Sequence, residues 1–183
     1  MKKLSIKQSI VRGVFFFCTL TAFPVFAEPP VLQVPTPVIY LADNLDEKDN
    51  LGWCIDTLGN GFAENLHAHS CKPSGGDVQF TYDAESLHIV SVEFSGKCVT
   101  LNENPERETD FTLLDCLPGD ANQSFTYDAA ALLFHPEEND SYCIAVGDAS
   151  QSAGPYMSRA LELVTCEESP LEQQQWIILR EAQ

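Results

Sequence analysis

Between residues 38 and 179 the chain alternates short apolar runs with polar breaks, and nowhere does it sustain the 3.6-residue spacing of a buried helix face. "VIYL" at 38–41, "CIDTLG" from Cys54, "NLHAHSC" ending at Cys71 and "DVQFTYD" at 77–83 form one set. "LHIVSVEF" at 87–94, "CVTLNE" from Cys98, "FTLLDC" ending at Cys116 and "NQSFTYD" at 122–128 form the next. "ALLFHP" at 131–136, "CIAVGD" from Cys143, "LELVTC" ending at Cys166 and "QQQWIIL" at 173–179 complete a third. The runs are rich in Val, Ile, Leu, Thr and Phe and are bounded by Gly, Pro, Asp or Asn, the pattern of strands joined by turns. An all-β, threefold architecture is predicted, with four short strands per copy.

Cysteine spacing sets the period. Cys54 and Cys71, Cys98 and Cys116, and Cys143 and Cys166 stand 17, 18 and 23 residues apart. The first members recur at intervals of 44 and 45, which marks an internal triplication. In this register Phe80, Phe125 and Trp176 share one position. Gln123 and Gln174 stand two residues before it, where the first copy has Val78. Counted from Cys54, the third copy ends at Leu179 without the strand that follows the other two, while "VIYL" at 38–41 lies at the matching place before Cys54. That segment is expected to pair beside the strand of Trp176, because an unpaired apolar edge invites aggregation.

Composition changes the picture at the N-terminus. Lys2, Lys3, Lys7 and Arg12 form a basic region, Val14 to Phe23 is apolar, and Val25-Phe26-Ala27 has cleavage-site character, so residues 1–27 read as a secretory signal peptide that also carries Cys18. The apolar stretch is short for a bilayer span and no later segment reaches 18 apolar residues in a row, so membrane insertion is not expected. Residues 28–37, "EPPVLQVPTP", read as a Pro-rich lead-in. All 27 Asp and Glu lie from Glu28 onward and four of the ten Lys and Arg lie in the leader. Six cations against 27 acids leave the mature chain at −21. This charge excludes nucleic acid and anionic membrane surfaces as partners and suits, if anything, a protein with a basic surface. The expected location is secreted or periplasmic, and six cysteines in an exported chain argue for disulfides rather than metal ligands.

These residues resemble the ricin B-type lectin family of β-trefoils: a Cys-Ile/Val opening, a Leu-containing run closed by Cys, and a Gln-x-Trp/Phe phrase, three times in register over about 38–179. The resemblance implies a barrel capped by three hairpins, in a domain of 38–183 with repeats of about 38–83, 84–128 and 129–179. It also implies one disulfide within each repeat, and a core built on Phe80, Phe125 and Trp176 with Gln123 and Gln174 tethering backbone. Each disulfide, closing a loop of roughly 20 residues, contributes about 3 kcal/mol.

The same resemblance implies one shallow sugar pocket per repeat. Its parts are an Asp two residues after the first cysteine, an aromatic platform two before the second, a polar residue four before it, and another just ahead of the Gln. A carboxylate accepts from sugar hydroxyls, and a flat ring covers the apolar face of a pyranose. The first repeat supplies Asp56, His69, His67 and Asp77; the second has Thr100, Leu114 and Thr112; the third has Ala145, Val164 and Glu162. The expectation is a carbohydrate-binding module with at most one intact site, in the first repeat, that contacts a glycan or glycoprotein. The alternatives are a sugar-blind trefoil that contacts a protein, or the binding subunit of a multicomponent toxin. His67 and His69 alternate along a strand and share a face with which a metal could be caught beside Asp56, but without a third fixed ligand the expectation is no metal and no other cofactor. No Ser-His-acid or paired-carboxylate grouping stands in a recognisable context, so catalysis is not expected.

Overall fold

A computed structural model describes residues 29–102 and 109–181; the signal peptide read for 1–27 lies outside them. The first repeat holds β1 (Val38–Leu41), β2 (Trp53–Thr57), β3 (Leu66–Ser70) and β4 (Phe80–Asp83). The second holds β5 (His88–Ser91), β6 (Lys97–Leu101), β7 (Phe111–Asp115) and β8 (Phe125–Asp128). The third holds β9 (Leu133–Pro136), β10 (Tyr142–Val146), β11 (Gln151–Ala153), β12 (Tyr156–Arg159), β13 (Leu161–Thr165) and β14 (Trp176–Leu179). Among the described residues no helix is long and apolar enough to cross a membrane.

The chain forms the expected all-β trefoil. Hairpins β2–β3, β6–β7 and β10–β13 each carry one disulfide, Cys54–Cys71, Cys98–Cys116 and Cys143–Cys166. Pairs β4–β5 and β8–β9 have their counterpart in β14–β1, which joins the two ends of the domain from Val38 opposite Leu179 to Leu41 opposite Trp176. Neighbouring pairs are stitched by Phe125 N donating to Leu87 O at 2.8 Å and Trp176 N donating to Leu132 O at 2.7 Å. Leu87 and Leu132 occupy equivalent turns with φ of 62° and 66°, and holding a leucine in the left-handed region costs energy that the core on either side must offset. Phe80, Phe125 and Trp176 are all buried, in one cluster with Trp53, Phe111 and Phe134.

Two features depart from the pattern read along the chain. The third repeat has six strands rather than four, because the longer spacing between Cys143 and Cys166 accommodates the hairpin β11–β12, turned at Gly154 and Pro155. This hairpin does not stay with its own repeat: β12 pairs with β3, Ser158 opposite His69 and Arg159 opposite Ala68. The second departure is the lead-in, whose described residues are docked. Val34 is buried with Val38, Cys54, Cys71 and Val78 in a small apolar cluster. Val78 thus fills with hydrocarbon the place where the other repeats have Gln. The displaced amide is Gln79, whose Oε1 accepts from Gly76 N and whose Nε2 donates to Pro35 O.

Gly52 shows how closely the lead-in lies. Its φ is +81°, and a Cβ there would come 2.7 Å from Pro30 Cβ. Gly52→Ala is expected to cost about 1–3 kcal/mol, strain and overlap acting together. A denaturant midpoint unchanged from wild type would show that the lead-in is not held against the domain.

Candidate functional site

Strand register brings the expected site residues together in pairs. In each repeat the carboxylate position lies directly across from the polar position: Asp56 opposite His67, Thr100 opposite Thr112, Ala145 opposite Glu162. The first cysteine lies across from the platform position: Cys54 opposite His69, Cys98 opposite Leu114, Cys143 opposite Val164. Only the first repeat therefore assembles an acid and two rings on one face.

Asp56 is only 1% exposed. Its Oδ1 accepts from Thr57 N at 2.7 Å, and its Oδ2 is ion-paired with Lys72 Nζ at 2.9 Å. Lys72 also reaches Asp77 Oδ1 at 2.5 Å, so one ammonium links both predicted carboxylates. Burial pulls the Lys72 pKa down, but hydrogen bonds to Asp77 and Asp56 outweigh it and the net shift is upward. His69 Nδ1 donates to Ser70 O at 2.9 Å and lies 3.7 Å from Asp56 Oδ2; His67 Nε2 lies 3.9 Å from the same oxygen. Burial lowers the His69 pKa, with the Ser70 carbonyl and Asp56 opposing it. A cation attracted by the acids and imidazoles would have to displace Lys72, which already bridges the two carboxylates.

Two participants were not read from the sequence. Lys72 carries a local signal, as one of six cations beyond the leader, placed between Asp56 and Asp77. Tyr156 carries none: it arrives on the third-repeat hairpin and meets the His69 ring edge-on at 5.6 Å between centroids. The platform position is thereby covered by a side chain from another repeat.

In the second repeat the corresponding polar groups satisfy one another. Gln123 Nε2 donates to Thr100 Oγ1 at 3.0 Å and to Asp115 O at 2.9 Å, while its Oε1 accepts from Leu117 N at 2.8 Å. Thr112 Oγ1 donates to Thr100 O. In the third, Gln174 Nε2 donates to Cys166 O at 3.0 Å and Ser169 O at 2.6 Å. Both glutamines hold the turn that follows the second cysteine, and they do so from buried positions.

A family model described as the ricin-type beta-trefoil lectin domain matches residues 44–176. The chain belongs to the ricin-type β-trefoil lectin family. Among solved structures, this lectin-family domain is similar to the β-trefoil lectin of the Vibrio vulnificus hemolysin/cytolysin, which was solved with N-acetyl-D-lactosamine bound. The TM-score is 0.54 at 16% identity, over 80% of this chain and 96% of that one, a likeness of fold. Among curated proteins none matches the sequence significantly. The lectin-family assignment agrees with the three intra-repeat disulfides, which suit an oxidising compartment.

Proposed function

We propose that this protein is an exported carbohydrate-binding module with at most one sugar site of the family's usual kind, in the first repeat, and no catalytic role. The observation that supports it is the convergence of His67, His69 and Lys72 on Asp56, with Asp77 joined through Lys72, and no comparable acid-and-ring grouping at Thr100/Leu114 or Ala145/Val164. Asp56 and Asp77 accept from hydroxyls, Lys72 donates, and the imidazoles offer flat surface and further donors. The neighbour's bound N-acetyl-D-lactosamine makes that disaccharide a natural first probe.

A second reading has its own support. With Asp56 almost wholly buried and both its oxygens engaged, the first repeat suits a sugar-blind trefoil that presents its acidic surface to a basic protein, alone or as the binding subunit of a toxin assembly. A glycan array of wild type and Asp56→Ala separates the two. The lectin reading expects saturable binding that falls about tenfold or more in the variant, the effect of losing a charge-assisted hydrogen bond. No glycan bound by the wild type, together with stoichiometric capture of a basic protein, would establish the second reading.

A further inference from the structure

Two of the three disulfides lie against a histidine. In the third repeat His135 Nδ1 is 3.7 Å from Cys143 Sγ and 3.6 Å from Cys166 Sγ, so one ring nitrogen faces both sulfurs. In the second, His88 Nδ1 is 3.5 Å from Cys98 Sγ, and the ligand atoms of His88, Cys98 and Cys116 all lie within 4.8 Å of one another. The histidines do not share a position in the repeat. Register against β14, β4 and β8 sets His135 level with Tyr40 and Val90, and His88 comes two residues before Val90 on the same face of its strand.

Access separates the two groups. His88 and Cys98 are buried, whereas His135 and Cys166 are half-buried. A cavity of about 430 Å³, lined by Asp140, Ser141, Thr165, Cys166, Glu167 and Glu168, opens beside Cys166. Its three carboxylates favour the approach of cations to that sulfur.

We propose that Cys143, Cys166 and His135 form a zinc site in the reduced chain, with water in the fourth position. In the disulfide the sulfurs are bonded to each other, so the site exists before that bond closes or after a dithiol opens it. Opening passes two electrons to the Sγ–Sγ bond and two protons to the cysteines, and the dithiol becomes its own disulfide. Zn²⁺ then binds the two sulfurs as thiolates, and their protons leave to solvent. A tetrahedral centre with Zn–S of about 2.3 Å and Zn–N of about 2.0–2.1 Å has S···N edges of about 3.6 Å and an S···S edge of about 3.8 Å. Both S···N edges are already in place, and only the sulfurs must part, by side-chain rotation. The backbone holds them close without the covalent bond: β10 and β13 pair from Tyr142 opposite Thr165 to Val146 opposite Leu161, and Cys166 N donates to Ser141 O at 3.0 Å. In the disulfide form His135 Nδ1 donates to Tyr142 O at 3.0 Å, and metal binding moves that proton to Nε2. Two thiolates and an imidazole select Zn²⁺ over Ca²⁺ or Mg²⁺, which take oxygen ligands.

The test uses the mature full chain, reduced with a phosphine that leaves no competing thiol, desalted without oxygen, and alkylated with iodoacetamide in the presence or absence of equimolar Zn²⁺. Peptide mass spectrometry follows each cysteine. Zn²⁺ is expected to slow alkylation of Cys143 and Cys166 about tenfold or more. His135→Gln, whose amide still offers Tyr142 O a donor, should lose most of that protection, His88→Gln should keep it, and Ca²⁺ should give none. Where the reduced chain is unfolded without metal, Zn²⁺ is expected to restore its β-sheet circular dichroism in wild type and not in His135→Gln, because binding and folding are then coupled. Protection spread evenly over all six thiols is metal held by an unfolded chain and overturns the proposal. Alkylation of Cys143 and Cys166 at the same rate with and without Zn²⁺ overturns it too, as does full protection in His135→Gln.

Discussion

Replacing Trp176 with alanine is expected to remove about 3–5 kcal/mol of stability, and more if the core around it does not close. The indole is fully buried, and its Nε1 donates to Ile144 O at 2.9 Å, so the substitution opens a cavity and strands a buried carbonyl. A stranded acceptor adds about 1–3 kcal/mol. Against the roughly 5–15 kcal/mol that holds a domain of this kind together, such a loss leaves the fold marginal. Position matters as much as size, because Trp176 lies opposite Leu41 on the strand pair that joins the two ends of the domain. Trp176→Phe, which copies the residue at the equivalent positions of the other repeats, should recover most of the packing while still losing the indole donor. Guanidinium unfolding with the disulfides intact gives both numbers. An alanine variant within about 1 kcal/mol of wild type would mean that β14–β1 closure does not depend on this ring.

The closure itself was legible because the chain repeats. "VIYL" makes little sense alone, but beside two copies that each carry a strand before their first cysteine its place follows. The cysteine pairs were legible for the same reason, and so was the alignment of Asp56, His67, His69 and Asp77; strand register sets Asp56 opposite His67 and Cys54 opposite His69, while Asp77 joins them from a turn through Lys72. What one repeat borrows from elsewhere was not legible. The Met157 N to Ser70 Oγ bond spans 87 residues, and nothing local in "QSAGPYMSR" says that its hairpin will lie along β3 and set Tyr156 against His69. Val78 looked like a decayed Gln. With Val34 of the lead-in packed beside it, the substitution is half of an apolar contact whose other half lies outside the repeat.

Lys72→Met should cost about 3–5 kcal/mol near neutral pH, the range for breaking a buried ion pair by removing one partner. The methylenes are replaced almost in kind, so the loss is electrostatic: Asp56 stays buried and faces Asp77 with nothing between them. Alkaline unfolding of the wild type tests the same contact with the sign fixed. Lys72 has a folded pKa above its ordinary 10.5, so its contribution is complete below that value and is lost as pH rises through the folded one. Tyr40, Tyr82 and Tyr127, whose pKa values burial raises from 10.0, also lose stability in that range, and the wild-type curve sums all four groups. Lys72→Arg separates them, because guanidinium stays charged and only the tyrosine part of the decline remains. His69 acts at the other end. Its pKa is lowered from 6.5, so the stability gained by burying a neutral ring is complete above that value and is lost as pH falls through the folded one, in wild type and Lys72→Arg alike. Urea unfolding from pH 5 to 11 is therefore expected to give wild type and Lys72→Arg of similar stability at neutral pH, with the arginine curve flatter above about pH 10 and Lys72→Met well below both. A Lys72→Met protein as stable as wild type at pH 7 would show that Asp56 and Asp77 do not depend on the ammonium. The two carboxylates would then be free to take a ligand without displacing it.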